Sequence, residues 1–194
     1  PTPAPPTGTP PADLLALAVE VAAEAAAMIT VERRSAVAGA DTKTSATDVV
    51  TQVDRASEQL IRSRLLGARP DDGFLGEEGT HDAGTSGVRW VVDPIDGTVN
   101  FLYGIPRYAV CIAAEVDGEV VAGVVWDVPS GTHYTATLGG GARCNGEPIG
   151  VRAPAPLAER LVITGFSYRP EVRAIQARAI ARLLPVVRDI RRIG

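Results

Sequence analysis

The sequence predicts an α+β fold, with an N-terminal antiparallel sheet carrying two helices, followed by the start of a second α/β domain. Three observations predict it. Residues 12–36 and 55–66 have helical composition and periodicity. Residues 108–138 hold β-branched, apolar runs joined at Asp117-Gly118, a strong hairpin signal. Ala153-Pro-Ala-Pro156 reads as a boundary, beyond which a strand, a helix and another strand recur. The expected organisation is a disordered Pro-rich tail over residues 1–11, an N-terminal domain over 12–152, and the beginning of a C-terminal domain over 153–194.

Composition narrows the function classes. With 194 residues and 45% hydrophobic content the chain can build a substantial core, which excludes disorder of the whole. A net charge of −4 argues against a broad nucleic-acid surface, because phosphate backbones are gripped mainly by clustered Lys and Arg. Cys111 and Cys144 lack CxxC spacing and read as buried free thiols rather than as a disulfide or zinc pair. No apolar run is expected to reach the roughly 18 to 20 residues that cross a bilayer, and the N-terminus lacks the pattern of a signal peptide. The expectation is a cytoplasmic protein with no nucleic-acid or membrane partner.

Pro1 to Pro11 contains six prolines and reads as a flexible tail. The helix from Ala12 to about Ala36 is rich in Ala, Leu and Val, with Asp13 near its positive end. Its alanine density predicts close packing against another element or subunit. Lys43 to Asp54 is read as a loop followed by a strand or hairpin, and Arg55 to Leu66 as an amphipathic helix closed by Gly67. Lys43 is either a solvated loop charge or a group near a bound phosphate. Gly79 to Gly87 is polar and glycine-rich, a mobile loop placed to close over a site, and His81 within it is read as solvated. Gly139 to Glu147 is read as a hairpin bend rather than a phosphate cradle, since it lacks the Lys-Ser/Thr ending and helix of a P-loop. After the boundary come a strand at Leu161 to Thr164, a helix from Glu171 to Leu184, and a strand at Val186 to Ile193. Arg188, Arg191 and Arg192 there read as a solvated face.

The chemistry centres on Trp90-Val-Val-Asp-Pro-Ile-Asp-Gly-Thr-Val-Asn-Phe101. Trp90 to Val92 is a short strand that Asp93-Pro94 is expected to end, because proline offers no ladder donor. Ile95 to Thr98 then turns into a helical first turn that Asp96 or Thr98 is able to cap. Asp93 and Asp96 suit a hard divalent cation such as Mg²⁺, which takes oxygen ligands. The Gly97 and Thr98 amides at a helix start suit an anion. Such a stretch also reads as a plain strand-ending turn. Two further acidic stretches weigh against that: Asp72-Gly-Phe-Leu-Gly-Glu-Glu-Gly79, ending at Glu77-Glu78, and Asp48-Val-Val-Thr-Gln-Val-Asp54. Adjacent acids repel unless solvated or neutralised by a cation.

Gly76-Glu77-Glu78, Asp93-Pro-Ile-Asp-Gly-Thr98 with Asn100-Phe101, and Asp48-x-x-Thr51-x-x-Asp54 together resemble the inositol monophosphatase family of Mg²⁺-dependent, lithium-sensitive phosphatases. The resemblance runs from about Leu14 to Gly194. It implies a layered α-β-α-β-α sandwich whose N-terminal domain binds metal. It also implies that Glu77, Asp93 and the Ile95 carbonyl hold one metal, and Asp93 and Asp96 a second. Glu77 and Thr98 would orient water, with Asp54 accepting the Thr98 hydroxyl proton; Asp54 otherwise reads as an N-cap. The Gly97 and Thr98 amides would hold the phosphate, Glu78 a loosely bound third ion, and Asp96 a substrate hydroxyl. Inositol 1-phosphate or a related polyol phosphate is the implied substrate, hydrolysed by a homodimer.

The family's later Trp-Asp followed by Ala-Ala-Gly does not occur before Gly194, so the chain is expected to be a truncated or partly ordered form lacking the C-terminal part. Gly194 falls where a substrate-contacting segment of the family begins. Trp126-Asp127 continues Val-Pro-Ser and is not taken as a ligand. Rival substrates on the same site are fructose bisphosphate, NADP and histidinol phosphate. A rival of another class is a non-catalytic regulatory partner of the transcription machinery.

Overall fold

The computed structural model describes residues 8–38 and 46–193, with backbone alone for 34–38 and 46–51. Residues 1–7, Lys43, Gly194 and the side chains of Asp48 and Thr51 lie outside the described set. The fold is mixed α+β with a mostly antiparallel sheet and several helices, as the sequence predicts. Two compact units form, Pro1–Gly150 and Val151–Gly194.

In the first unit, helix α1 spans Pro11–Ala38, so it takes in the last residue of the expected tail. Pro11 needs no amide partner in the first turn, and Asp13 N–H donates to the Pro10 carbonyl at 3.0 Å. Against expectation, Pro11–Arg33 is long and apolar enough to cross a membrane, with mean hydropathy 2.0. Alanine accounts for it. Leu14, Ala18, Val21, Ala22, Ala25, Ala26 and Ile29 form a buried stripe of mostly small side chains that lets the helix lie close on the sheet.

Helix α2 spans Ala46–Ala68, which corrects the expected strand or hairpin over Asp48 to Asp54. Val53, Ser57, Ile61 and Leu65 are buried at four-residue spacing, a helical stripe. Asp54 therefore sits within a helix rather than at a strand end or an N-cap.

The sheet order is β2-β1-β3-β4-β5-β6-β7-β8, built from Gly73–Gly76 (β1), His81–Asp82 (β2), Val88–Asp96 (β3), Ala109–Val116 (β4), Glu119–Asp127 (β5), Thr132–Thr137 (β6), Gly141–Cys144 (β7) and Glu147–Ile149 (β8). Alternate residues Val88, Trp90, Val92, Val110, Ile112 and Ala114 face the helices and are buried. Asp117 and Gly118, with φ of 51° and 86°, make the β4–β5 turn. The two ends of the sheet are short: β2 has two residues and β8 has three, with Pro148 in its middle. On the face away from the helices, Val91, Ala113, Val125, Tyr134 and Ala136 line a groove of 660 Å³ that reaches Asp93 and Cys111. Both cysteines are free and half-buried, less enclosed than the sequence suggests.

Asp72, 3% exposed, anchors the entry to β1. It receives hydrogen bonds from Arg69, from Ser86 Oγ at 2.6 Å and from Trp90 Nε1 at 2.9 Å. Thr85 and Ser86 N–H both donate to the Asp71 carbonyl, at 2.7 and 3.0 Å. With β2 pairing antiparallel to β1, the Gly79 to Gly87 segment is tied to the sheet rather than being the free lid expected.

In the second unit, β9 (Leu161–Ile163) and β10 (Asp189–Arg191) pair in parallel, with helix α4 (Pro170–Leu183) between them in the chain. A parallel pair requires such a crossover. Arg191 pairs with Asp189 and Arg192 lies 5.6 Å over the Phe166 ring, so these arginines have intra-unit partners.

Candidate active site

Parallel strands present their C-terminal ends at one edge, and β1 and β3 are the parallel pair of this sheet. Gly76 registers with Val92, and Glu77 N–H donates to the Val92 carbonyl at 3.2 Å. Glu77 and Asp93 are thereby brought side by side. The strand does not stop at Asp93-Pro94, as expected from the proline; β3 runs on to Asp96 through a register shift between Asp93 and Asp96. A bulge leaves a residue outside the ladder, so Pro94 removes no hydrogen bond there. The bulge carries Asp93, the Ile95 carbonyl and Asp96 on one short stretch, with Asp93 half-buried and Asp96 exposed.

Helix α3, Thr98–Tyr103, follows at once. Its N-cap is Gly97, with φ 90° and ψ 34° and no side-chain cap, so neither Asp96 nor Thr98 plays the capping role expected. Thr98 Oγ1 donates instead to the Ile95 carbonyl at 3.0 Å, and Asp54 does not receive that proton in this structure. The amides of a first helical turn lack intrahelical acceptors, and Gly97 and Thr98 begin that turn. A Cβ on Gly97 would lie 2.8 Å from the Arg107 carbonyl, and the left-handed φ strains any side chain. Gly97→Ala is expected to cost about 1–3 kcal/mol in unfolding free energy. It should also reduce turnover more than metal affinity, measured by denaturant melts and metal titration. From below, Phe101 packs edge-on to Tyr108 at 5.1 Å between centroids, and Arg33 lies 5.0 Å over Phe101 and donates to its carbonyl.

The electrostatics mark the acids as unbalanced. Burial lifts Asp93 to about 8, helped by a hydrogen bond to Glu77 that needs a shared proton and by the charges of Glu77, Asp96 and Asp54. Burial also lifts Asp54 to about 7, with Glu78, Glu77 and Glu58 adding repulsion. Cys111, opposite Asp93 on β4, is pushed up to about 12 by burial and by Asp96, Asp93 and Glu77. Asp93 Oδ1 is buried with no hydrogen-bond partner. Among the described residues no cationic side chain accounts for this set; the one ion pair given to Arg55 there is with Glu78, at 3.9 Å. No group of three or more Asp, Glu, His or Cys side chains among the described residues is already arranged to hold a metal ion. An orphaned carboxylate oxygen in an oxygen-only donor set nevertheless fits a hard divalent cation, which would quench the repulsion.

The structure gathers Glu77, Asp93, Ile95, Asp96, Gly97 and Thr98 at one sheet edge and brings Asp54 within their field. Glu78 is exposed at its side. Asp127 pairs with Arg107 at 3.4 Å and His81 lies exposed on β2. Sequence reasoning missed Ser57 and Glu58, both buried on α2. Their signal was present: they stand three and four residues after Asp54, inside the apolar stripe.

Comparison with known proteins gives a consistent result. The sequence profile of the inositol monophosphatase family matches residues 11–194. An inositol-1-monophosphatase of Mycobacterium leprae is 46% identical over 204 residues, covering 95% of this chain and 69% of that protein. A histidinol-phosphatase of Chlorobaculum parvum is 43% identical over 120 residues, covering 61% and 46%. The solved structure of Mycobacterium tuberculosis SuhB superposes with a TM-score of 0.81 at 44% identity, covering 95% of this chain and 70% of that one.

Proposed function

The chain belongs to the inositol monophosphatase family, a family of phosphatases, and from that membership we propose that it is a Mg²⁺-dependent phosphomonoesterase acting on inositol 1-phosphate or a related polyol phosphate. The products are the free alcohol and inorganic phosphate. The observation that carries the metal assignment is the buried, partnerless Oδ1 of Asp93 among acids that, among the described residues, have no cationic side chain to balance them.

In this reading Glu77, Asp93 and the Ile95 carbonyl hold one ion, Asp93 and Asp96 a second, and Glu78 a weak third. When bound, Mg²⁺ acidifies water and offsets charge on the phosphoryl group. The chain does the rest by placement. Glu77 and the Thr98 hydroxyl orient the attacking water. Asp54, buried and raised to about 7 by burial and by Glu78, Glu77 and Glu58, would lose its proton as the neighbouring acids are neutralised and then be the base available to the Thr98 hydroxyl. The Gly97 and Thr98 amides donate to the phosphate oxygens, since glycine permits close backbone approach. Exposed Asp96 is the group available to a substrate hydroxyl.

The test is a panel of inositol 1-phosphate, histidinol phosphate, fructose bisphosphate and NADP assayed with Mg²⁺ and with chelator. Hydrolysis of inositol 1-phosphate is expected to lead the panel and to vanish with chelator. Faster turnover of histidinol phosphate, the compound that gives one relative its name, would transfer the substrate assignment. Absence of any hydrolysis with intact metal binding would favour a regulatory role.

A further inference from the structure

Helix α2 buries three polar side chains on one face, Asp54, Ser57 and Glu58, at 5, 0 and 3% exposure. Each of the last two reaches a different acid-bearing segment. Ser57 Oγ donates to the Pro94 carbonyl at 3.3 Å, in the β3 bulge between Asp93 and Asp96. Glu58 Oε2 accepts the Glu78 amide at 3.0 Å, and Oε1 accepts the Thr80 hydroxyl at 2.5 Å. The turn closes around this carboxylate, with Gly76 N–H donating to the Thr80 carbonyl at 2.9 Å. Gly76 leaves the room: a Cβ there would lie 2.2 Å from Glu58 Oε2. Between these two anchor points Glu77 is held against Val92, next to Asp93.

We propose that Glu58 is a positioning residue for the metal site: with Ser57 it fastens the Gly76–Thr80 turn and the β3 bulge to one rigid helix, and so fixes the separation of the Glu77 and Asp93 carboxylates before a cation arrives. The inference rests on the reading of Glu77 and Asp93 as ligands. Its physical basis is that a cation needs both carboxylates ionised, and without their shared proton the two like charges repel and drift apart unless the backbone beneath them is held. A helix carrying both tethers on residues one apart supplies a short, stiff reference, so little ordering remains to be done at binding. Glu58 does this through the backbone amide of Glu78 and the Thr80 hydroxyl, without touching the substrate itself.

The experiment is a Mn²⁺ titration of the full chain, followed by electron paramagnetic resonance of the free ion, on the unaltered protein, Glu58→Gln, Thr80→Val, their double variant and Asp93→Asn. Glu58→Gln preserves volume but keeps one acceptor oxygen for two donors. It is expected to raise the Mn²⁺ dissociation constant about tenfold, the scale seen on losing partners outside the ligand shell. Thr80→Val removes one hydroxyl from an exposed-side turn and is expected to shift affinity in the same direction by a smaller factor. Because both act on one lock, the double variant should be no weaker than Glu58→Gln alone, rather than showing the product of the two factors. With Mg²⁺ at saturation, kcat is expected to recover in Glu58→Gln and KM for the phosphomonoester to stay unchanged. A general loss of fold would move all of these together. Unaltered Mn²⁺ affinity in folded Glu58→Gln, or in Thr80→Val should the former not fold, overturns the proposal. If the unaltered protein and Asp93→Asn bind Mn²⁺ equally, the ligand assignment itself fails; if only Asp93→Asn loses affinity, the ligand reading survives and the lock does not.

Discussion

Asp93→Asn is expected to lower Mg²⁺-dependent phosphomonoester hydrolysis by on the order of 10³-fold, the scale of losing one strong electrostatic contact to the transition state. The same change is expected to raise the thermal midpoint of the metal-free protein at pH 8. Asparagine keeps the shape of the side chain and the backbone of the bulge, so the fold has no reason to change. What it removes is the charge that Glu77, Asp96 and Asp54 all oppose. Its amide can donate to Glu77, satisfying a contact that in the native chain needs a shared proton. Opposite signs for stability and activity are the mark of a group held in place for its chemistry. Comparable turnover in the variant, measured with saturating Mg²⁺, would refute the ligand assignment.

The second large effect is on the pH dependence of stability without metal. An unfolded chain releases the Asp protons near the ordinary 3.8, whereas the folded chain holds them to about 8 at Asp93 and about 7 at Asp54. Below about 4 both states carry the protons and the contribution of these groups is intact. Between 4 and 8 the unfolded state binds fewer protons than the folded one, so stability falls as pH rises. The loss is complete above the folded values. In chelator, the thermal midpoint is therefore expected to drop between pH 5 and pH 8 by on the order of 5 °C. Added Mg²⁺ should restore it most at the alkaline end, with proton release on binding near pH 7. A midpoint that rises over that interval in chelator would show that the acids are not crowded in solution.

The meander was legible because β-branched runs and Asp117-Gly118 act locally; a turn needing positive φ at both central residues leaves little choice of sequence. The acidic motifs were legible as candidates for the same reason. The body of helix α2 over Arg55 to Leu66 was legible too, but its first turns were not, since Asp48-Val-Val-Thr-Gln-Val-Asp54 alternates like a strand while Val53 also joins Ile61 and Leu65 in a helical stripe. Tertiary burial decides between those two periods. Pro94 misled because a proline forbids only a ladder donor, and the bulge asks for none. The part played by Glu58 depends on a turn arriving from eighteen residues further along the chain, beside a glycine whose importance is the volume it leaves empty. Local patterning carries no record of that approach.

The shortness of the sheet at both ends bears on how the molecule keeps its own company. A stretch of two residues at one side and a Pro148-bearing stretch of three at the other give an incoming backbone too few free amides and carbonyls to template itself upon. Through this eight-stranded sheet, chains crowded together at high concentration are thereby steered away from stitching edge to edge into fibrils.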